Sequence, residues 1–182
     1  MGKIIGLTGN KGKGKTHACL ELAGQLSDQG VVVKGFCSPP VFSEGIKTGI
    51  DVVSLPSFER RRLGIIGEIE GFIPIRVWSM DPKTFDWINH MMGRYSISEV
   101  LIFDEFGPLE VEQGKGWHKA LDVLKQGNYS VAVITFRPDY QEFFKHEFPE
   151  IEIMNLDDHD SADGFYDRVK DCLVQAKVLK AW

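Results

Sequence analysis

The sequence predicts an α/β fold: a mainly parallel sheet with helices on both faces and a small antiparallel β insert. Three observations predict it. Short apolar runs, KIIGL, VVVKGF, VLIF and SVAVITF, have the near-continuous character of strands buried on both faces. Between them lie segments with apolar residues at three- and four-residue spacing, the alternation that builds a parallel sheet covered by helices. A glycine-rich stretch, GNKGKGKT, joins the first apolar run to the first helical pattern. At 182 residues the chain suffices for one substantial core and is short for two, so a single domain over 1–182 is expected.

The elements follow in order. Lys3–Leu7 is the first strand, and Ala18, Cys19, Leu22, Ala23 and Leu26 give the first helix one apolar stripe, with Gly30 at its C-terminal end. Val31–Phe36 is the second strand, ended by Ser38-Pro39-Pro40. From about 46 to 78, short alternating runs separated by Gly, Pro and Ser predict the antiparallel insert. Asp81-Pro82 starts a helix with a capping side chain and proline at the first helical position; Phe85, Ile88 and Met92 form its stripe. Val100–Phe103 is a strand ending at Asp104-Glu105, and Trp117 to Leu124 is a helix closed near Gly127. A strand over 130–136, a short helix near 139–146, the strand IEIM and a helix through Phe165, Val169, Leu173 and Ala176 complete the chain.

GNKGKGKT matches G-x-x-x-x-G-K-[ST] at Gly9, Gly14, Lys15 and Thr16, and its flanks supply the strand and helix that this motif needs. Glycines let successive backbone N–H groups turn toward phosphate oxygens, and the helix N-terminus adds partial positive charge. Gly9, Asn10, Lys11, Gly12, Lys13, Gly14, Lys15 and Thr16 are therefore the expected nucleotide-binding residues. His17, in the first helical turn, is counted with them although its own reading is structural. Lys15 is expected at the terminal phosphates and Thr16 on magnesium. A phosphate cradle needs an acid to hold the metal and a base to ready a water. VLIFDE offers both at the C-terminal end of a strand, where open α/β sheets place ligands: Asp104 for the metal and Glu105 for the water.

The stretch IFDEFGPLE (102–110) resembles the D-E-[IF]-G-x-x-E segment of the THEP-type nucleoside triphosphatases. VKGFCSPPVFSEGIKTGIDVVSL resembles the segment that follows that family's glycine loop, PKTFDWI its aromatic helix and VITF its next strand. The resemblance spans about residues 3–155. It implies a RecA-like P-loop fold and magnesium-dependent hydrolysis of ATP, GTP and other nucleoside triphosphates. It also implies Asp104 as the metal acid and, with Lys15, Glu105 as the catalytic pair. Glu110 closes the family segment and is expected near the nucleotide. The chain departs from the family pattern at Lys11, where proline is usual, and at Lys13, where a small or apolar residue is. Ile73-Pro74-Ile75 replaces a basic-tyrosine element, and NLDDHDS lacks the C-terminal asparagine-arginine motif.

Other signals are weaker. Lys13 reads first as solvated and second as extra charge on the phosphates. Arg137 reads first as a loop arginine paired with a surface acid and second as a phosphate sensor. Arg60-Arg61-Arg62 reads first as alternating exposure on a hairpin and second as a reach to the triphosphate or an anionic partner, and the histidines show no metal-ligand spacing. A net charge of −5 makes sequence-independent nucleic-acid binding unfavourable. No run is long enough for a membrane helix, Gly6 and Gly9 break any secretory signal, and three dispersed cysteines fit reduced thiols, so the expected location is cytoplasmic. The main expectation is triphosphate hydrolysis. Its alternatives are a phosphotransferase, an adenosyltransferase (the loop also resembles the TGNGKGKT of corrinoid adenosyltransferases, with one residue added) and a slow nucleotide-gated module with an unknown protein partner.

Overall fold

A computed structural model describes residues 2–95, 97–158 and 164–180. Strand β1 (Lys3–Thr8) leads through the glycine loop into α1 (Lys15–Asp28), and β2 (Val33–Cys37) follows. Five strands come next: β3 (Pro40–Ser43), β4 (Ile46–Leu55), β5 (Arg60–Ile66), β6 (Ile73–Ile75) and β7 (Trp78–Met80). Then come α2 (Pro82–Met92), β8 (Ser98–Phe106), α3 (Pro108–Val111), α4 (His118–Gln126) and β9 (Tyr129–Phe136). A 3-10 turn (Pro138–Tyr140), α5 (Gln141–Glu147), β10 (Glu152–Asn155) and α6 (Phe165–Gln175) complete it. Asp81 caps α2 as expected, accepting the Lys83 N–H at 3.0 Å and the Thr84 hydroxyl at 2.8 Å.

The two-residue period of a strand explains why both faces are apolar. Ile4, Leu101, Phe103, Ala132, Ile134 and Phe136 face α2, α4 and α5; Ile5, Leu7, Val100, Ile102, Val131 and Val133 face α1 and α6. All ten strands join one sheet, in the order β10-β1-β9-β8-β2-β4-β5-β7-β6, with β3 on β4. From β10 to β2 every pairing is parallel; from β2 outward every pairing is antiparallel. The expectation of a mainly parallel sheet is thus corrected to a mixed one. The segment read as a small insert continues the same sheet, because Gly35, Phe36 and Cys37 of β2 pair with Leu55, Ser54 and Val53 of β4. Two further corrections are local: β8 runs on through Asp104 and Glu105 to Phe106, and α3 was not anticipated.

Cys37 closes β2 opposite Val53, so residues 46–52 of β4 extend past the C-terminal edge of the parallel strands. The antiparallel half therefore stands as a wall beside the loops where an α/β sheet binds ligands. The wall reaches the parallel strands through β2, whose seat against β8 is the join that depends on Gly35: its φ is +125°, and a Cβ added there would meet the Ile102 carbonyl oxygen of β8 at 1.9 Å. Gly35→Ala should therefore destabilise the fold by about 3 kcal/mol or more, the range of severe backbone strain. Urea unfolding checks this; an unchanged midpoint would contradict the account of the join.

Candidate functional site

Gly9, Gly12 and Gly14 have φ of +138°, +85° and +87°, which side-chain-bearing residues rarely adopt. The loop they shape runs from β1 to the first turn of α1, with Gly14 as the left-handed N-cap. The half-buried Lys15 ammonium donates to the Gly9 carbonyl and, at 3.1 Å, to the Asn10 carbonyl. Burial lowers its pKa, while the charges of Glu105 and Asp104 pull it up. The far side of the loop is held by Asp157, which accepts from the Asn10 N–H at 2.9 Å and the Asn10 amide at 3.0 Å, with Lys13 at 3.4 Å. Lys13 is exposed, as its first reading had it, and its ammonium also pairs with Asp157.

Asp104 and Glu105 are consecutive, and in a regular strand they would point to opposite faces. They do not. The register of β8 against β9 shifts between Phe103 and Phe106, and Glu105 takes φ +74°. This is a β-bulge, the device that re-aims a side chain next to a functional site. Thr135 on β9 holds it: its hydroxyl donates to Asp104 Oδ1 at 2.6 Å and accepts the Glu105 N–H at 2.6 Å. The second Asp104 oxygen accepts the Ser38 N–H at 2.9 Å, and Thr16 lies beside Asp104 in the same cavity. Burial raises the Asp104 pKa against the pull of these bonds; burial and then Asp104 raise that of Glu105.

A cavity of about 460 Å³ collects these groups: loop residues Lys11 to His17, Asp104, Glu105, Thr135 and Arg137. His17 stands at its exposed edge, 3.8 Å from Glu21. Arg137 is half-buried in the cavity wall, and no ion pair among the described residues includes it, which corrects the surface-pair reading. Arg60 and Arg62 pair with Asp51, while Arg61 pairs with Glu59 and stacks 4.0 Å from the Trp87 ring, so the arginine run is structural. Glu110 lines the cavity but binds no basic group. Its oxygens accept the Gly107 and Trp117 N–H groups at 2.9 and 3.0 Å, bracing the 107–117 loop. Lys47 was missed. It reaches the same cavity from β4, its ammonium 5.0 Å from the Trp78 ring centroid, with its pKa lowered by burial and raised by Glu105. The signal was the basic position inside GIKTGI. Thr135, Ser38 and Asp157 had no signal of their own, and His159, with the rest of NLDDHDS beyond Asp158, lies outside the described residues.

A family model described as NTPase matches residues 4–162. The chain belongs to this NTPase family. Among its relatives, the chain is 31% identical over 128 residues to the nucleoside-triphosphatase THEP1 of Sulfurisphaera tokodaii, covering 70% of this chain and 75% of that one. It is 25% identical over 177 residues to THEP1 of Methanothermobacter thermautotrophicus, covering 94% and 95%. Its fold is similar to the solution structure of a human cancer-related nucleoside triphosphatase, with TM-score 0.71, 21% identity and coverage of 92% and 96%. No helix among the described residues is long and apolar enough to cross a membrane.

Glu110 supplies a pH test of this geometry. Burial pushes its pKa from 4.5 up to about 7, so the folded chain holds that proton more tightly than the unfolded one. Stability from this group is complete below the unfolded value and is lost as pH rises through the folded one. At ~1.4 kcal/mol per pKa unit the loss is about 3 kcal/mol. Removing the carboxyl in Glu110→Ala should flatten the decline in unfolding free energy between about pH 5 and about pH 8 by that order. Parallel pH profiles for the two proteins would place the titration elsewhere.

Proposed function

We propose that this chain hydrolyses nucleoside triphosphates, ATP and GTP among them, with magnesium, on a RecA-like P-loop domain. The observation that carries the reading is the bulge at Asp104 and Glu105. It turns both acids toward the cavity that the Lys15 loop lines, in a chain of the NTPase family. The names of its relatives agree with that chemistry.

In this reading the loop N–H groups and Lys15 bind the phosphates, and Lys15 leaves the Gly9 and Asn10 carbonyls for the terminal phosphate. The donor set suits magnesium. Thr16 and Asp104 offer two oxygen ligands in one cavity, and no cluster of three or more acidic, histidine or cysteine side chains is present among the described residues. Magnesium takes one or two protein oxygens alongside phosphates and waters, so this sparse set fits it. Bound there, the ion would offset charge on the phosphate oxygens. Glu105 accepts the proton of the attacking water. Its raised pKa makes it a better acceptor while it is ionised, and Lys47 and Arg137, whose charges lower that pKa, favour the ionised form. The same two cations face charge that builds on the terminal phosphate.

Phosphate release measured on ATP, GTP, CTP and UTP, with and without magnesium, tests the proposal. Release that requires magnesium and disappears in Lys15→Ala supports it; equal release by wild type and Lys15→Ala would remove the loop from the reaction. In Glu105→Gln, hydrolysis should fall by roughly 10²- to 10⁴-fold while nucleotide affinity holds, since the amide cannot take the water's proton. Equilibrium binding and single-turnover hydrolysis on one sample separate these effects, and turnover close to wild type would exclude Glu105 as the base. Thr135→Val keeps the shape of the side chain but leaves the Glu105 N–H and one Asp104 oxygen without their partner. Single-turnover hydrolysis should drop on the order of tenfold or more, with the fold weakened by about 1–3 kcal/mol. A variant with wild-type turnover would show that the bulge holds without the hydroxyl.

A further inference from the structure

We propose that the apolar part of this cavity is a second-substrate site. It would take a small uncharged molecule with an apolar or aromatic body and a hydroxyl group, to which the terminal phosphoryl group is passed. The proposal rests on the triphosphate reading above and adds an acceptor to it.

Position carries the first half of the argument. Strand order places the glycine loop after β1, the two acids on β8 and the antiparallel wall on β4 to β7, so Asp104 and Glu105 stand between loop and wall. In a site of this kind the loop lysine and threonine mark the terminal phosphates. The space beyond Glu105 therefore opens at the reacting end of the nucleotide and not at its base. Lys47 stands at the junction, held over the Trp78 ring at 5.0 Å.

Composition carries the second half. Ile50, Leu63 and Met80 form a buried floor, Ile75 and Trp78 are half-buried, and Phe42 is 59% exposed at the rim. Lys47 and Glu110 line the same cavity. A water nucleophile needs no apolar wall, whereas a non-polar acceptor gains roughly 25 cal/mol for each Å² it buries there. The whole cavity, about 460 Å³, lies within the usual range for small-molecule sites. An acceptor seated against the wall places its hydroxyl at Glu105. The hydroxyl oxygen bonds to the terminal phosphorus, the bond from that phosphorus to its bridging oxygen breaks, and the proton goes to Glu105. The products are a phosphomonoester and a nucleoside diphosphate. Positioning is the gain over water, since an oriented nucleophile acts at high effective concentration.

The test uses the whole chain with magnesium, ATP labelled in its terminal phosphate, and 2-phenylethanol as the acceptor probe. The readout is the share of label in the phosphomonoester against inorganic phosphate. In wild type that share should exceed the statistical share of alcohol over water by on the order of tenfold or more. Ile75→Trp, which fills the chamber, should lower it by on the order of tenfold while phosphate release continues. Phe42→Ala, at an exposed position with little part in folding, should lower it in the same direction. An ester share at the statistical value with normal phosphate release overturns the acceptor site alone. Neither ester nor phosphate from wild type overturns the triphosphate reading together with it. Ester formed in the near-absence of hydrolysis supports the acceptor site. A raised ester share unchanged in both variants overturns the assignment to this chamber.

Discussion

One hydroxyl group organises the site. Thr135 Oγ1 lies 2.6 Å from both Asp104 Oδ1 and the Glu105 nitrogen, and it ties two adjacent residues of β8 into a bulge. Without that bulge the alternation of the strand would send one of the two carboxylates into the opposite face, against α1 and α6. A non-glycine residue at φ +74° is strained by on the order of 1–3 kcal/mol, and the flanking parallel pairings of β8 with β9 must hold it. The rigid parallel half of the sheet thus serves to keep one unfavourable backbone conformation in place.

Charge is arranged around that bulge in layers. Asp104 is buried, and hydrogen bonds from Thr135 and Ser38 offset part of the cost of burying its charge. Glu105 sits next to it, partly exposed to the cavity, with Lys15, Lys47 and Arg137 contributed by three separate parts of the chain. Glu110 lies one step further out and takes two backbone N–H groups, so it shapes the 107–117 loop. On the other side of the glycine loop, Asp157 binds Asn10 and Lys13.

The antiparallel half of the sheet changes what the cavity is. A parallel sheet alone would offer the loop and the acids an open edge. Strand β4 runs past the end of β2, and β5 to β7 extend the wall behind it, giving the reacting end of the site an apolar side. The wall is carried by β2, whose close backbone approach to β8 at Gly35 ties it to the parallel strands. The segment read from the sequence as a small antiparallel insert becomes part of the site only through that join.

What the sequence by itself determined are the features written in local patterns. The strand–loop–helix at residues 3–28, the apolar runs of the parallel strands, the capped start of α2 and the acidic pair after VLIF were all legible there. Hydrophobic period, glycine placement and capping act within a few residues, so one sequence suffices to read them. Only the tertiary structure decided the rest. The bulge that turns Asp104 and Glu105 to one cavity is set by a hydroxyl about thirty residues away, and a period-two pattern carries no trace of it. Lys47, Arg137 and Asp157 come to the site from elements distant in sequence that the sheet brings together; the basic position in GIKTGI and the arginine after VITF were visible, but their meeting at Glu105 was not. The reason is the same in each case: side-chain direction and long-range pairing are settled by packing against distant residues, which no local window contains.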